Sequence, residues 1–177
     1  MKWDRGLDYG SVYRLLSRAL QRKLNETGRE RRSACYDAVL LLQLRNGLRI
    51  SEAVRAFKSW LLTRKPELSV RVSKKRREEE RLVVAPQELQ ALGDEIASAC
   101  IWLLEVDDVR LAKRVKMYCL RRYGFNTHSL RYAFITHLLK QNVSPSVIAK
   151  ITKHSRLDFI LHYTQSKVAE EVLRSLE

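Results

Sequence analysis

Residues 127–165 read THSLRYAFITHLLKQNVSPSVIAKITKHSRLDFILHYTQ and hold all four histidines of a 177-residue chain. Apolar residues recur at helical spacing over about 128–140, and Ser144-Pro145 is a start signal for a second helix over about 144–151. A third helix is expected over about 155–163 and a terminal one from about 165. On the first helix His128 and Arg131 lie three apart, so they share one face. A phosphate on that face would meet an imidazole and a guanidinium together; a surface histidine beside a surface arginine is the plainer alternative. His154 and Tyr163 bracket SRLDFILH. A tyrosine hydroxyl, with a pKa near 10, is a poor nucleophile at neutral pH. It becomes useful where cations stabilise the phenolate and the charge that builds on phosphorus. Otherwise Tyr163 is a half-buried aromatic on an amphipathic helix.

Upstream, helical spacing predicts helices over about 8–26 and 31–46, the second strongly apolar and stopped by Asn46-Gly47. Arg49 follows in RNGLRISEA, between apolar Leu48 and Ile50. Backbone anchored in this way suits a preorganised anion site, and an ion pair with Glu52 is the alternative. Ser51 is expected to cap a short helix through about Lys58. LSVRVS then alternates with the two-residue period of a strand, and RLVVAP resumes it. KKRREEER between them reads as a hairpin tip, or as a solvated, self-paired charge run. Pro86 opens a helix to about Leu104, and a basic amphipathic helix over about 107–122 stops at Gly124. The fold class is mostly α with a small antiparallel β-hairpin. With no repeat and no long linker, one domain over 1–177 is expected.

Composition narrows the partners. Thirty-four Lys and Arg against twenty Asp and Glu give a net charge of +14, the mark of a polyanion partner and above all of nucleic acid. Arginine grips phosphate with a planar fork. There is no apolar run of about 18 residues to span a membrane, and MKWDRGLDYG lacks the apolar core of a signal peptide. Cys35, Cys100 and Cys119 are scattered and odd in number, which predicts buried thiols of a cytosolic protein rather than a disulfide framework.

In order, GLRISEA, VRVSKK, HSLRYAFITHLL and KHSRLDFILHYT resemble the catalytic domain of the tyrosine recombinases, the phage-integrase-like site-specific recombinases, over about residues 30–165. The spacing from Arg131 to Tyr163, with His154 between, fits the Xer-like members closely. That family carries Arg in a TGLRISE segment, Lys on a β-hairpin, His-x-x-Arg, a later His or Trp, and Tyr. It implies a catalytic set of Arg49, Lys75, His128, Arg131, His154 and Tyr163, with Lys74 the alternative hairpin lysine. It implies cleavage and rejoining of double-stranded DNA through a 3′-phosphotyrosyl intermediate, with no cofactor and no metal. Self-association on DNA as a dimer to tetramer is implied too, in the cytoplasm and on behalf of a virus, plasmid or other mobile element. A type IB topoisomerase-like nicking-closing activity, or a DNA-binding module without strand exchange, are the alternative outcomes of the same pattern. Two positions depart from the family: Lys153 replaces the glycine before the second histidine, and Tyr132 replaces a frequent histidine. Only about 30 residues precede the matching segment, too few for the family's N-terminal DNA-gripping domain. Either a minimal recombinase or a piece of a longer one would read this way.

Overall fold

The computed structural model describes residues 6–73, 79–153 and Arg174. Lys74, Lys75, His154 and Tyr163 lie outside the described residues, as do the helices expected over 155–163 and from 165.

Asp8 caps α1 (Tyr9–Leu24) by accepting from the Ser11 amide at 2.8 Å. Val12, Leu16, Leu20 and Leu24 form the buried stripe of this helix. The next helix, α2 (Gly28–Asn46), has no such stripe, because Ala38 to Leu44 are buried without a break. A helix that is apolar all round belongs inside, and α1, α3, α5, α6 and α7 pack around this one. Each fully buried leucine of α2 contributes roughly 1.5–3 kcal/mol.

Helix α3 (Ile50–Thr63) leads into β1 (Glu67–Arg71), which pairs antiparallel with β2 (Glu80–Val84). Leu68 faces Val83 and Val70 faces Arg81. Three short helical pieces follow: α4 (Gln87–Ala91), α5 (Gly93–Cys100) and a 3-10 turn (Ile101–Glu105). Helices α6 (Asp108–Tyr123), α7 (Thr127–Lys140) and α8 (Pro145–Thr152) complete the described fold. It is mostly helical with one two-stranded antiparallel sheet, as the sequence implies. No helix among the described residues is long and apolar enough to cross a membrane.

Three expectations are corrected. The cap of α3 is Arg49, not Ser51. The Glu52 carboxylate accepts from the Arg49 amide at 3.1 Å and closes the helix end from its third position. Ser51 instead pairs its hydroxyl with that of Ser73 at 2.8 Å, and buried Trp60 and Leu61 carry α3 on past Lys58. The single helix expected from Pro86 to about Leu104 is broken at Leu92, which leaves helical geometry at φ −110°, ψ 25° just before Gly93. The break lets α5 turn Ile96, Ala97 and Cys100 into the core. Finally, Cys35 and Cys100 form a disulfide, with Cα atoms 5.4 Å apart. They are 65 residues apart in sequence and meet because α5 packs on α2, a proximity that spacing does not reveal. Cys119 keeps a buried thiol, which burial pushes up to about 12, so it is unreactive.

One buried polar cluster ties three helices. Lys23 of α1 donates to Asp37 of α2 at 2.7 Å, and Tyr118 and Tyr123 of α6 donate to the other Asp37 oxygen at 2.8 and 2.7 Å. Lys23 and Asp37 are 1% and 0% exposed. A buried charge pair is tolerable when its remaining hydrogen-bonding capacity is filled, as Asp37's is here.

Candidate active site

Helix α2 ends at Gly47, whose φ of 58° and ψ of 38° lie in the left-handed region. Any Cβ there would sit 2.3 Å from Cδ1 of the Phe134 ring, so glycine is required twice over. Leu48 follows, fully buried, and donates its amide to Gln43 O at 3.1 Å. The Gln43 side-chain amide braces the turn, donating to Leu48 O at 3.1 Å and to Thr127 O of α7 at 3.0 Å. Arg49 therefore leaves a backbone that is fixed on both sides.

Its guanidinium donates to Glu52 at 2.9 Å, so the ion pair weighed as an alternative exists. The arginine remains 25% exposed while Glu52 is fully buried. The pair thus orients the cation without removing it from solvent. Glu52 also accepts from the Ser73 amide at the end of β1 at 3.0 Å and from Arg81 of β2 at 3.5 Å. Burial alone pushes a carboxyl up. Here the bonds from the Arg49 amide, the Arg49 side chain and the Ser73 amide outweigh it, and Glu52 sits below the usual range.

Arg131 projects from α7 and is 1% exposed. Nη1 donates to Gly47 O at 2.5 Å, across 84 residues of sequence, and Nη2 donates to Thr152 O at the end of α8 at 2.7 Å. Cations at a helix C-terminus are favoured by its dipole. Burial first, and then the Arg49 cation, push Arg131 down to about 9. Arg49, Arg81 and Arg131 thus act on one another's charge around the single buried carboxylate of Glu52. Among the described residues three cations and one anion make up this corner, and its outlet is the partly exposed Arg49.

His128 lies in the first turn of α7, which Asn126 caps by accepting from the Ser129 amide at 3.0 Å. The ring is exposed and stands edge-on to Tyr132, with centroids 4.7 Å apart. Arg131, three residues on, turns inward. The face they share runs from solvent to the interior.

A family model described as the phage integrase family matches residues 14–170. The chain belongs to the phage integrase family. A protein named as a candidate integrase of Acidianus two-tailed virus is 38% identical over 174 residues, covering 98% of this chain and 68% of that protein. An uncharacterized protein of Methanocaldococcus jannaschii is 30% identical, covering 98% and 88%. A candidate integrase of Sputnik virophage is 29% identical, covering 96% and 88%. The fold resembles the XerH site-specific recombinase bound to its difH substrate before cleavage, and bound to a palindromic difH substrate after it. The TM-score is 0.61 in each case, at 14% and 16% identity. The chain spans about half of those recombinase chains, 51% and 54%.

Within this integrase fold, Arg49 and Arg131 converge on Gly47 and Glu52. Lys75, His154 and Tyr163 are not described. Motif reading missed Arg81 and the bracing amides. Arg81 fills an inward slot of β2, 4% exposed, while Leu82 beside it is 61% exposed. It donates to Asn46 O at 2.6 Å, and the Asn46 side chain pairs with both backbone groups of Val84 at 2.8 and 2.9 Å. The signal was present: the alternation of ERLVV puts an arginine where a strand buries its side chains.

Proposed function

We propose that the chain is a DNA strand transferase of the integrase type, cutting and resealing double-stranded DNA at a specific site through Tyr163. The observation that supports this best is the corner around Glu52. Two arginines from distant parts of the sequence flank one carboxylate-braced turn, and among the described residues three guanidiniums share the one carboxylate of Glu52. That is a preorganised seat for a phosphodiester. Arg49 and Arg131 would bind its two non-bridging oxygens, and His128, itself exposed in the N-terminal turn of α7, would assist proton transfer from the tyrosine. Tyr163 Oη attacks phosphorus in line, forming a 3′-phosphotyrosyl bond as the bond to the 5′ oxygen breaks. Lys75, or Lys74, gives that oxygen its proton, and His154 hydrogen-bonds the phosphate. A 5′-hydroxyl of a partner strand then attacks the phosphotyrosine and releases the tyrosine. One ester replaces another, so the step is balanced without an energy source. Exchange between two sites calls for more than one subunit on the DNA, and self-association there belongs to the proposal.

The test is covalent trapping. A duplex nicked near the scissile phosphate lets the short fragment that bears the new 5′-hydroxyl diffuse away, so the protein–DNA ester accumulates. A protease-sensitive shifted band on a denaturing gel, lost in Tyr163→Phe with DNA binding retained, is the expected result. A band that survives in Tyr163→Phe removes Tyr163 from the role.

A further inference from the structure

Lys153 closes α8 with φ 57° and ψ 40°, the left-handed geometry that glycine enters freely and a side chain enters against strain. The family motif has glycine at this position. The lysine also extends its Nζ to Glu79 Oε1, at 2.7 Å. The two side chains are 27% and 35% exposed, so the pair is partly shielded from solvent. Glu79 is also the residue whose carbonyl accepts from the Val72 amide at 2.7 Å, closing the hairpin one step beyond the Arg71–Glu80 pair. The bridge therefore runs from the tip end of the hairpin ladder to the residue bonded to His154. One residue earlier, Thr152 O is held by Arg131. The end of α8 is thus fixed twice, to α7 through Arg131 and to the hairpin through Lys153. Arg45, Arg81 and Lys150 line the same cleft as Lys153, with Glu80 as the acidic residue of that lining.

We propose that Lys153 and Glu79 form a positioning latch, which sets the segment entering His154 against the hairpin that carries Lys74 and Lys75. This rests on the strand-transfer reading above and concerns the rate of cleavage once DNA is bound. Lys153→Gly separates the latch from a mere helix stop. Removing the lysine relieves the left-handed strain, so a purely structural role predicts an equal or higher melting temperature and unchanged cleavage.

The experiment measures single-turnover cleavage of the nicked duplex at saturating DNA, together with DNA affinity and thermal unfolding. The variants are Lys153→Gly, Glu79→Gln and the exchange Lys153→Glu with Glu79→Lys. Each single variant is expected to slow cleavage roughly 3- to 10-fold, in keeping with the modest worth of a partly exposed ion pair. Affinity should stay within about twofold of wild type, and the exchange should restore most of the rate, since the pair's attraction is all it needs. Unchanged cleavage in Lys153→Gly overturns the latch, and so does an exchange variant as slow as the singles, which would make Lys153 a DNA contact. If the wild type leaves no covalent product, the strand-transfer reading has failed. The latch is then judged by hydrogen exchange at the Val72 amide. Exchange at least about threefold faster in Lys153→Gly and Glu79→Gln upholds it, and unchanged exchange overturns it.

Discussion

Gly47 meets a left-handed backbone and the face of the Phe134 ring at once. Gly47→Ala is expected to lower stability by about 2–4 kcal/mol, since the strain and the overpacking add. Urea unfolding at neutral pH measures it. The same carbonyl seats Arg131, so residual folded protein should also cleave slowly. Glu52 carries a sharper expectation. Its folded pKa is depressed, so its contribution to stability is present above about pH 4.5 and is lost as pH falls through the folded value. Glu52→Gln should remove that part of the acid dependence below about pH 4.5, and lower neutral stability by about 3 kcal/mol or more. Unfolding curves across that range, for both proteins, decide it. Arg49, His128 and Arg131 were legible as motif positions because their residue types and spacing are distinctive. Arg81 and the organising part played by Glu52 were not, because a buried charge is defined by what surrounds it. The Ser51 cap failed for the same reason: a hydroxyl at the right place lost to a carboxylate three positions beyond the true cap.

Elements marked by local pattern were readable, among them α1 with its helical spacing, α2 with its glycine stop, and the alternating β1 and β2. Those shaped by packing were not. The break at Leu92 serves the docking of α5 on α2, and the Cys35–Cys100 bond depends on the same docking. That bond closes a long loop, worth about 4 kcal/mol in the chain-entropy account for 65 residues. A reductant is therefore expected to lower the melting temperature, and thiol counting on the unfolded, non-reduced chain should find one reactive cysteine of three. Three thiols would return all the cysteines to the reduced state. The Lys23–Asp37 pair binds α1 to α2 and, through the tyrosines, to α6. Lys23→Met leaves Asp37 buried without its cation, which should destabilise by about 3–5 kcal/mol. Calorimetry reads the loss directly.

At the scale of the molecule, the charge of +14 is unevenly used. Part of it is consumed internally at Lys23 and Arg81, while Arg110, Lys113, Arg114, Lys116, Arg121 and Arg122 of α6 stand exposed. In the proposed role, DNA affinity should fall steeply as salt rises, with a log–log slope of several units, by filter binding or anisotropy. A flat response would contradict a phosphate-dominated interface. The corner around Glu52 bears on the lifetime of the protein as well as on its chemistry. Among the described residues three guanidiniums share the Glu52 carboxylate, and in the proposed role an oxyanion seated between Arg49 and Arg131 would relieve their mutual repulsion. Folding and occupancy are then thermodynamically linked: at a hundredfold excess over Kd, a bound ligand adds about 2.7 kcal/mol to the folded state. Copies without a target are the ones exposed to unfolding and proteolysis, while copies on a target persist. In the proposed role, a site that holds a phosphate would thereby also act as a filter on which molecules survive.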